Sequence, residues 1–377
     1  MKMTKVFLFP FFIILLLFSG CSPVESQHEK SVQDYQHPIP FNPERYLCYK
    51  TEQSMTIDGK DQEDSWEKAS WTNIFTDIEG GSKPKPTHET KAKMLWDDTH
   101  FYIYAKMDEP HIWATLKQRD TVIFYDDDFE IFIDPDGDSH GYYEFEANAY
   151  NTLWELILLR PYRTDDLPKV LNEWNVRGIK TAVHIEGSIN DPNDEDAYWS
   201  IEWAIPWYAL AELAPEGRAP KDKEQWRVNF SRVDWRMKIE GNRYEKEINP
   251  QTGKPYPENN WVWSPTGRIN MHMPEMWAYV QFSDIIVGSG STQFQYDPDE
   301  EIKWALWQLY FQQVDYFETH GSYTDDLGRF TIPDIASSEC KFDPKIYITP
   351  HLFEIINETC TDSGNWTIRQ DGKIQLK

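Results

Sequence analysis

The stretch from Asp126 to Trp154, DDDFEIFIDPDGDSHGYYEFEANAYNTLW, constrains the fold more than any other part of this 377-residue chain. Phe129, Ile131 and Ile133 alternate with Glu130, Phe132 and Asp134. After an acidic, glycine-containing turn, Tyr143, Phe145 and Ala147 alternate with Tyr142, Glu144, Glu146 and Asn148. Successive strand residues point to opposite faces, so the pattern predicts a β-hairpin with one apolar face. Glu130, Glu146 and Asn148 then share the other. The plain reading of these residue types is a solvated acidic face. The rings of Trp113 and Trp154 support a second reading, because flat rings cover the apolar side of a sugar while carboxylate and amide groups bind its hydroxyls.

The strand signal continues along the chain. KAKMLWDDTHFYIYAKM reads as another hairpin, turning at Asp97–His100, with Phe101, Ile103, Ala105 and Met107 on one face. YWSIEWAIP puts Trp199, Ile201, Trp203 and Ile205 inward, and WRVNFSRV does the same with Trp226, Val228 and Phe230. One short helix, WYALAEL, follows Pro206, a residue suited to a helix start. Many strands, turns rich in proline and glycine, and no βαβ alternation predict a mainly β chain: an antiparallel β-sandwich over residues 46–283. Gly288-Ser289-Gly290-Ser291 marks a linker, residues 284–299. Residues 300–377 then form a small α+β extension. It holds an amphipathic helix with Trp304, Trp307, Phe311 and Val314 on one face and Gly321 as its cap. Strands FEIIN and WTIRQ follow, joined by a turn near Asp362-Ser363-Gly364.

The N-terminus is built for export. Lys2 and Lys5 precede an apolar run from Val6 to Phe18, too short for a stable membrane span, so residues 1–20 read as a signal segment. Ser19-Gly20-Cys21 resembles a bacterial lipobox, which implies a lipidated Cys21, a polar tether over residues 21–45 and an outer-membrane anchor facing the periplasm or the cell surface. A plain secretory signal is the alternative. With Cys21 acylated, a Cys340–Cys360 disulfide would leave Cys48 free. The net charge is −26, from 63 acidic and 37 basic residues, and removal of Lys2 and Lys5 makes it −28. Such a chain is repelled by nucleic acids, which excludes them as partners.

Candidate chemistry is limited. Asp134, Asp136 and Asp138 present three carboxylates in one turn, the hard oxygen ligands calcium prefers, without the twelfth-position glutamate of an EF-hand loop. A simple acidic turn is the plainer reading, and the loop from Asn190 to Asp196 is a second candidate of the same kind. A glycoside hydrolase needs two carboxylates opposed across a cleft, for which Glu130 and Glu146 are the candidates. No G-x-S-x-G, H-E-x-x-H, P-loop or G-x-G-x-x-G motif supports other hydrolases, zinc proteases or nucleotide enzymes. Seventeen tryptophans are more than a core of this size calls for, so some rings are expected to face a ligand.

The run DDDFEIFIDPDGD…YYEFEANAYNTLW and the later WRVNFSRVDW…NWVWSPTGRINMHMPEMWAYVQF resemble the family 9-like carbohydrate-binding modules, over roughly residues 46–282. The resemblance implies a sandwich of the family 9/DOMON-like type that binds carbohydrate without cleaving it and serves polysaccharide capture and catabolism. The family's sugar lies between two rings. The first ring falls at Phe124, with Tyr125 and Trp113 near it; at the second ring's place stand Met271 and His272. The strand's acid corresponds to Glu130 and the next strand's asparagine to Asn148, while Glu146 replaces a basic residue. These departures imply a remodelled site that draws on Trp113, Trp154, Arg160, Trp263 and Trp277. The same broad fold occurs in haem-binding electron-transfer domains with Met and His ligands. Met271-His272 makes haem the outside alternative, although neighbours on a strand point to opposite faces.

Overall fold

The structure is a computed structural model that describes residues 37–163, 169–335, 340–360 and 364–377. The signal segment, Cys21 and most of the expected tether lie outside the described residues, as do Asp362 and Ser363. In chain order the strands begin with β1 (Arg45–Lys50), β2 (Thr76–Asp77), β3 (Thr90–Trp96), β4 (His100–Asp108) and β5 (Asp128–Asp134). Next come β6 (Tyr142–Asn148), β7 (Leu153–Leu158), β8 (Val170–Leu171), β9 (Lys180–Glu186) and β10 (Tyr198–Pro206). The sandwich closes with β11 (Gln225–Asp234), β12 (Met237–Glu240), β13 (Arg243–Lys246), β14 (Asn259–Val262) and β15 (Ala278–Ile286).

One hydrogen-bonded path, β8-β7-β6-β5-β11-β15-β1-β3-β4-β10-β9, turns through β15 and β1 to form both layers. The mainly β sandwich expected from the sequence is therefore present. It is not wholly antiparallel, because β1 runs parallel to both β15 and β3. Between the layers Phe129, Ile131, Phe145 and Phe230 pack with Ile103, Ile201 and Trp203. Phe145 and Trp203 meet across this core with ring centroids 6.4 Å apart. Burying one large apolar side chain contributes roughly 1.5–3 kcal/mol, so period-two alternation over this many strands fixes which face turns inward. Much of the aromatic surplus is spent here: Trp199, Trp203, Trp226 and Trp263 are fully buried in the same core.

The outer face of the central hairpin departs from expectation. Every residue of β5 and β6 is buried, acids included. The segment after β14 folds back across this face, where Phe132, Tyr142, Leu156 and Trp277 form a second apolar cluster. Acids on these strands are thereby shut off from bulk water.

Helix α1 (Asp299–His320) ends at Gly321, whose φ of 70° is the left-handed cap conformation that favours glycine. It packs on a four-stranded sheet of β16 (Lys345–Ile348), β17 (Phe353–Glu358), β18 (Asn365–Arg369) and β19 (Ile374–Leu376). The helix buries more than the predicted stripe, because it also touches the sandwich. Arg163 lies over Trp307 at 4.7 Å, and Arg227 reaches Glu300 at 3.7 Å. Cys340 and Cys360 are bonded, and Cys48 is buried and free. Two stretches expected to be loose are docked. Phe41, near the end of the tether, stacks on Trp304 at 4.6 Å. Within the linker, Gln281 hydrogen-bonds the carbonyl of Gln293 (3.0 Å) and the amide of Gln295 (2.7 Å).

Candidate functional site

Strand register assembles the site. Across β7, β6, β5 and β11, Trp154 pairs with Glu146, Glu146 with Glu130, and Glu130 with Ser231. A ring, two carboxylates and a hydroxyl therefore lie side by side on the outer face. Asp128 and Glu144 sit two residues away on the same faces of β5 and β6. A cavity of about 280 Å³ opens over this row, bordered by Phe124, Tyr162, Met271 and His272 as well as by Trp154, Glu130, Glu144 and Glu146.

The cavity wall is held rigidly. Arg163 pairs with Glu275 at 2.6 Å, and Arg227 donates to the carbonyls of Glu275 (3.0 Å) and Trp277 (2.6 Å). These bonds fix the turn that carries Met271 and His272. Burial, with help from Arg163, pushes the His272 pKa down to about 3, so its ring is neutral. Its Nδ1 lies 2.9 Å from the Tyr142 hydroxyl, and the Tyr162 ring meets it edge-on at 4.4 Å. Burial raises Glu130 to about 7, against the opposing effect of Ser231. Asp128, Glu144 and Glu146 rise well above the usual carboxylate range, first through burial and then through repulsion from neighbouring acids.

The residues singled out in the sequence divide between several places. Phe124, Glu130, Trp154, Met271 and His272 meet at this cavity. Tyr125 packs beside Phe124 at 4.8 Å but is turned outward and 55% exposed. Trp113 is elsewhere: its Nε1 donates to Asp127 (2.7 Å) in a separate cavity of about 590 Å³ that also holds Trp235 and Trp261. Trp263 belongs to the core, stacked on Phe230 at 5.5 Å. Trp277 is fully buried in the outer apolar cluster. Arg160 lies 4.0 Å from Asp371 of the C-terminal extension, away from the row.

Asn148 shares the acidic face, as the alternation requires, but its amide is already saturated. Nδ2 donates to the Leu116 carbonyl (2.8 Å) and Asp126 (2.9 Å), while Oδ1 accepts from Tyr150 and Thr152 (3.1 Å each). It ties two loops together rather than offering itself to a ligand. The acidic turn is spent in the same way. Asp134 accepts from the amides of Gly137 (3.1 Å) and Ser139 (2.9 Å), Asp136 from Asp138 (3.3 Å), and Asp138 pairs with Lys373 (2.5 Å). Turn capping and a salt bridge thus engage all three carboxylates. In the other acidic loop Asp196 likewise accepts from the amides of Ile112 (2.8 Å) and Ser188 (2.6 Å). Met271 and His272 lie in an irregular turn, not on a strand, and a 280 Å³ space falls below the usual range for drug-sized ligands, let alone a porphyrin.

Among the described residues, two trios of acids each bring one oxygen apiece within 4.8 Å of the others: Asp128–Glu130–Glu146, and Glu109–Asp127–Asp234. The second trio holds a cation of its own. Arg232, fully buried, reaches Glu109 at 2.6 Å and Asp234 at 3.5 Å. Asp128, Glu144 and Ser231 were not singled out from the sequence, although the alternation that picked out Glu130 and Glu146 places them on the same face. Tyr162 and Glu258 reach the cavity from outside the strands that floor it, and no local pattern signals them.

Fold and site together define a β-sandwich with a small, ring-bordered, acid-floored cavity on the outer face of one layer. Residues 57–219 match the family model described as carbohydrate family 9 binding domain-like. Over 157 residues it is 26% identical to the exoglucanase XynX of Acetivibrio thermocellus, a match covering 42% of this chain and 12% of that protein. The chain thus corresponds to only that small share of the curated relative's length. Similar solved structures include a candidate carbohydrate-binding protein from Bacteroides uniformis, with 16% identity and a TM-score of 0.47, covering 64% of this chain and 100% of the other. Another is a family 9 carbohydrate-binding module from Caldicellulosiruptor kristjanssonii in complex with cellotriose, with 14% identity and a TM-score of 0.40, covering 66% and 98%.

Proposed function

We propose that this protein binds carbohydrate, without cleaving it, in the cavity over the Trp154–Glu146–Glu130 row, and that it does so as a lipid-anchored protein of the bacterial envelope serving polysaccharide capture and catabolism. The observation that carries the reading is the row itself: a half-buried indole directly beside two carboxylates, on strands that lie inside the family-matched segment. The indole and the Tyr162 ring supply flat apolar surface, and Glu130 and Glu146 accept from hydroxyls. About 280 Å³ suits a single terminal sugar ring rather than the middle of a long chain. The glycosidase reading is weaker, because Glu130 and Glu146 are neighbours on one sheet face instead of opposed across a cleft.

A glycan array followed by calorimetry tests this. Trp154→Ala should weaken the best ligand about ten-fold or more, since a stacked ring contributes roughly 0.5–1.5 kcal/mol beyond the area it buries. Trp113→Ala, in the other cavity, should leave affinity unchanged. Loss on Trp113→Ala with none on Trp154→Ala, or an array without a single hit, sinks the proposed site. Release of reducing sugar that is abolished in Glu130→Gln would replace the binding reading with a catalytic one. Cys21→Ala should move the protein into the soluble fraction; retention on membranes after salt washing argues against the anchor.

A further inference from the structure

We propose that Asp128, Glu130 and Glu146 hold a calcium ion at the floor of the Trp154–His272 cavity. One oxygen from each lies within 4.8 Å of the other two, a spread no wider than two calcium–oxygen bonds of about 2.3–2.6 Å placed end to end. The three side chains come from adjacent strands of a rigid sheet and are buried, with exposures of 0%, 6% and 2% in that order.

Clustered acids alone would not make a site. The independent observation is the state of Asp128. It is completely buried and belongs to the trio, and among the described residues neither of its oxygens has a hydrogen-bond partner in good geometry, although the Val233 backbone N–H partly opposes the effect of its burial. Ser231, completely buried and paired with Glu130 in the strand register, interacts with Glu130 but outside good hydrogen-bond geometry, and one oxygen of Glu144 likewise lacks a well-formed partner among the described residues. Buried polar atoms are partnered in all but a few cases, and an unpaired buried carboxylate is among the most costly exceptions. The charged groups acting most strongly on Asp128, Glu144 and Glu146 are all acids, and they repel one another. Three carboxylates with a hydroxyl nearby form an all-oxygen set, which selects a hard cation. Calcium takes six to eight ligands, so an ion here keeps positions open toward the cavity that Glu130 and Glu146 border.

The ion site stands whether or not a sugar binds, and the test uses no sugar. The mature full-length protein is stripped with a chelator, dialysed, and titrated with calcium chloride by calorimetry, with thermal melts in parallel. Wild type should bind one equivalent, with a dissociation constant at or below about 1 mM, as extracellular calcium modules do, and should melt higher with calcium than without. Asp128→Asn and Glu146→Gln should each weaken binding at least about ten-fold, whereas Asp136→Asn, in the capped acidic turn, should not. Removing one of several mutually repelling charges should leave Glu146→Gln melting no lower than wild type in chelator, which separates loss of the site from loss of the fold. The proposal is overturned if wild type binds no calcium at about 10 mM, if magnesium binds more tightly, or if affinity survives Glu146→Gln and Asp128→Asn and disappears in Asp136→Asn.

Discussion

Asp127 and Asp128 are adjacent in the chain and belong to two acid trios that are opposite in design. Asp127 joins Glu109 and Asp234 around Arg232, whose guanidinium pairs with two of the three acids, donates to the Asp108 carbonyl (2.9 Å) and lies over the Trp261 ring at 5.1 Å. Asp127 itself accepts from the Trp113 indole and the Trp235 amide, each at 2.7 Å. That trio is a closed network in which each acid has a partner. Asp128 joins Glu130 and Glu146, where among the described residues no arginine or lysine is paired with any of them and the cavity opens beside Glu130 and Glu146. The difference shows that burial of acids does not by itself define a ligand site. What matters is whether the protein supplies the compensating cation or leaves that position to something from outside.

Breaking the closed network should have the largest effect. Arg232→Met keeps the apolar stem and removes the charge, leaving three buried acids without a cation. The expected loss is about 3–5 kcal/mol of unfolding free energy, read by urea denaturation, and a loss below about 1 kcal/mol would mean that the pairs are compensated by something else.

The pH dependence sharpens the same contrast. Burial raises Glu109 from 4.5 to about 7, even with Arg232 opposing the shift, and raises Glu202 from 4.5 to about 7. Between these limits the folded chain holds protons that the unfolded chain has released, so stability is complete below about pH 4.5 and declines as pH rises through about 7. Chelator-treated protein should therefore melt lower at pH 8 than at pH 5, by an amount worth on the order of 1–3 kcal/mol. In Arg232→Met the fall should be steeper, because the ionised form of Glu109 loses its partner. A flat profile from pH 5 to 8 in wild type would contradict the raised carboxyls.

The smallest effect is expected at the rim of the closed trio. Lys246 sits over the Trp235 ring at 3.2 Å, and burial lowers its pKa to about 8. Lys246→Met should cost about 0.5–1 kcal/mol through the lost cation–ring contact, and should leave calcium affinity at the other trio unchanged. A calcium effect as large as that of Glu146→Gln would mean that the two trios act as one.

By itself, the sequence was enough to settle the sandwich and the makeup of the acidic row. Alternation with period two dictates which side chains share a face, so Glu130 and Glu146 were placed on one face from the sequence, and the same rule, applied further along the strands, puts Asp128 and Glu144 there too. Helix α1 and its Gly321 cap were equally legible, because both depend on local spacing. Local spacing does not determine what covers a face. Only the tertiary structure decided that the turn carrying Met271 and His272 would close over the acids, that Trp113 and Trp263 would be used elsewhere, that Asn148 would tie two loops together, and that Asp138 would pair with Lys373 of the C-terminal extension. The physical reason is range: a strand's own pattern fixes direction over a few residues, whereas desolvation of an acid depends on segments more than a hundred residues away, and it is desolvation that separates a solvated hairpin face from a site.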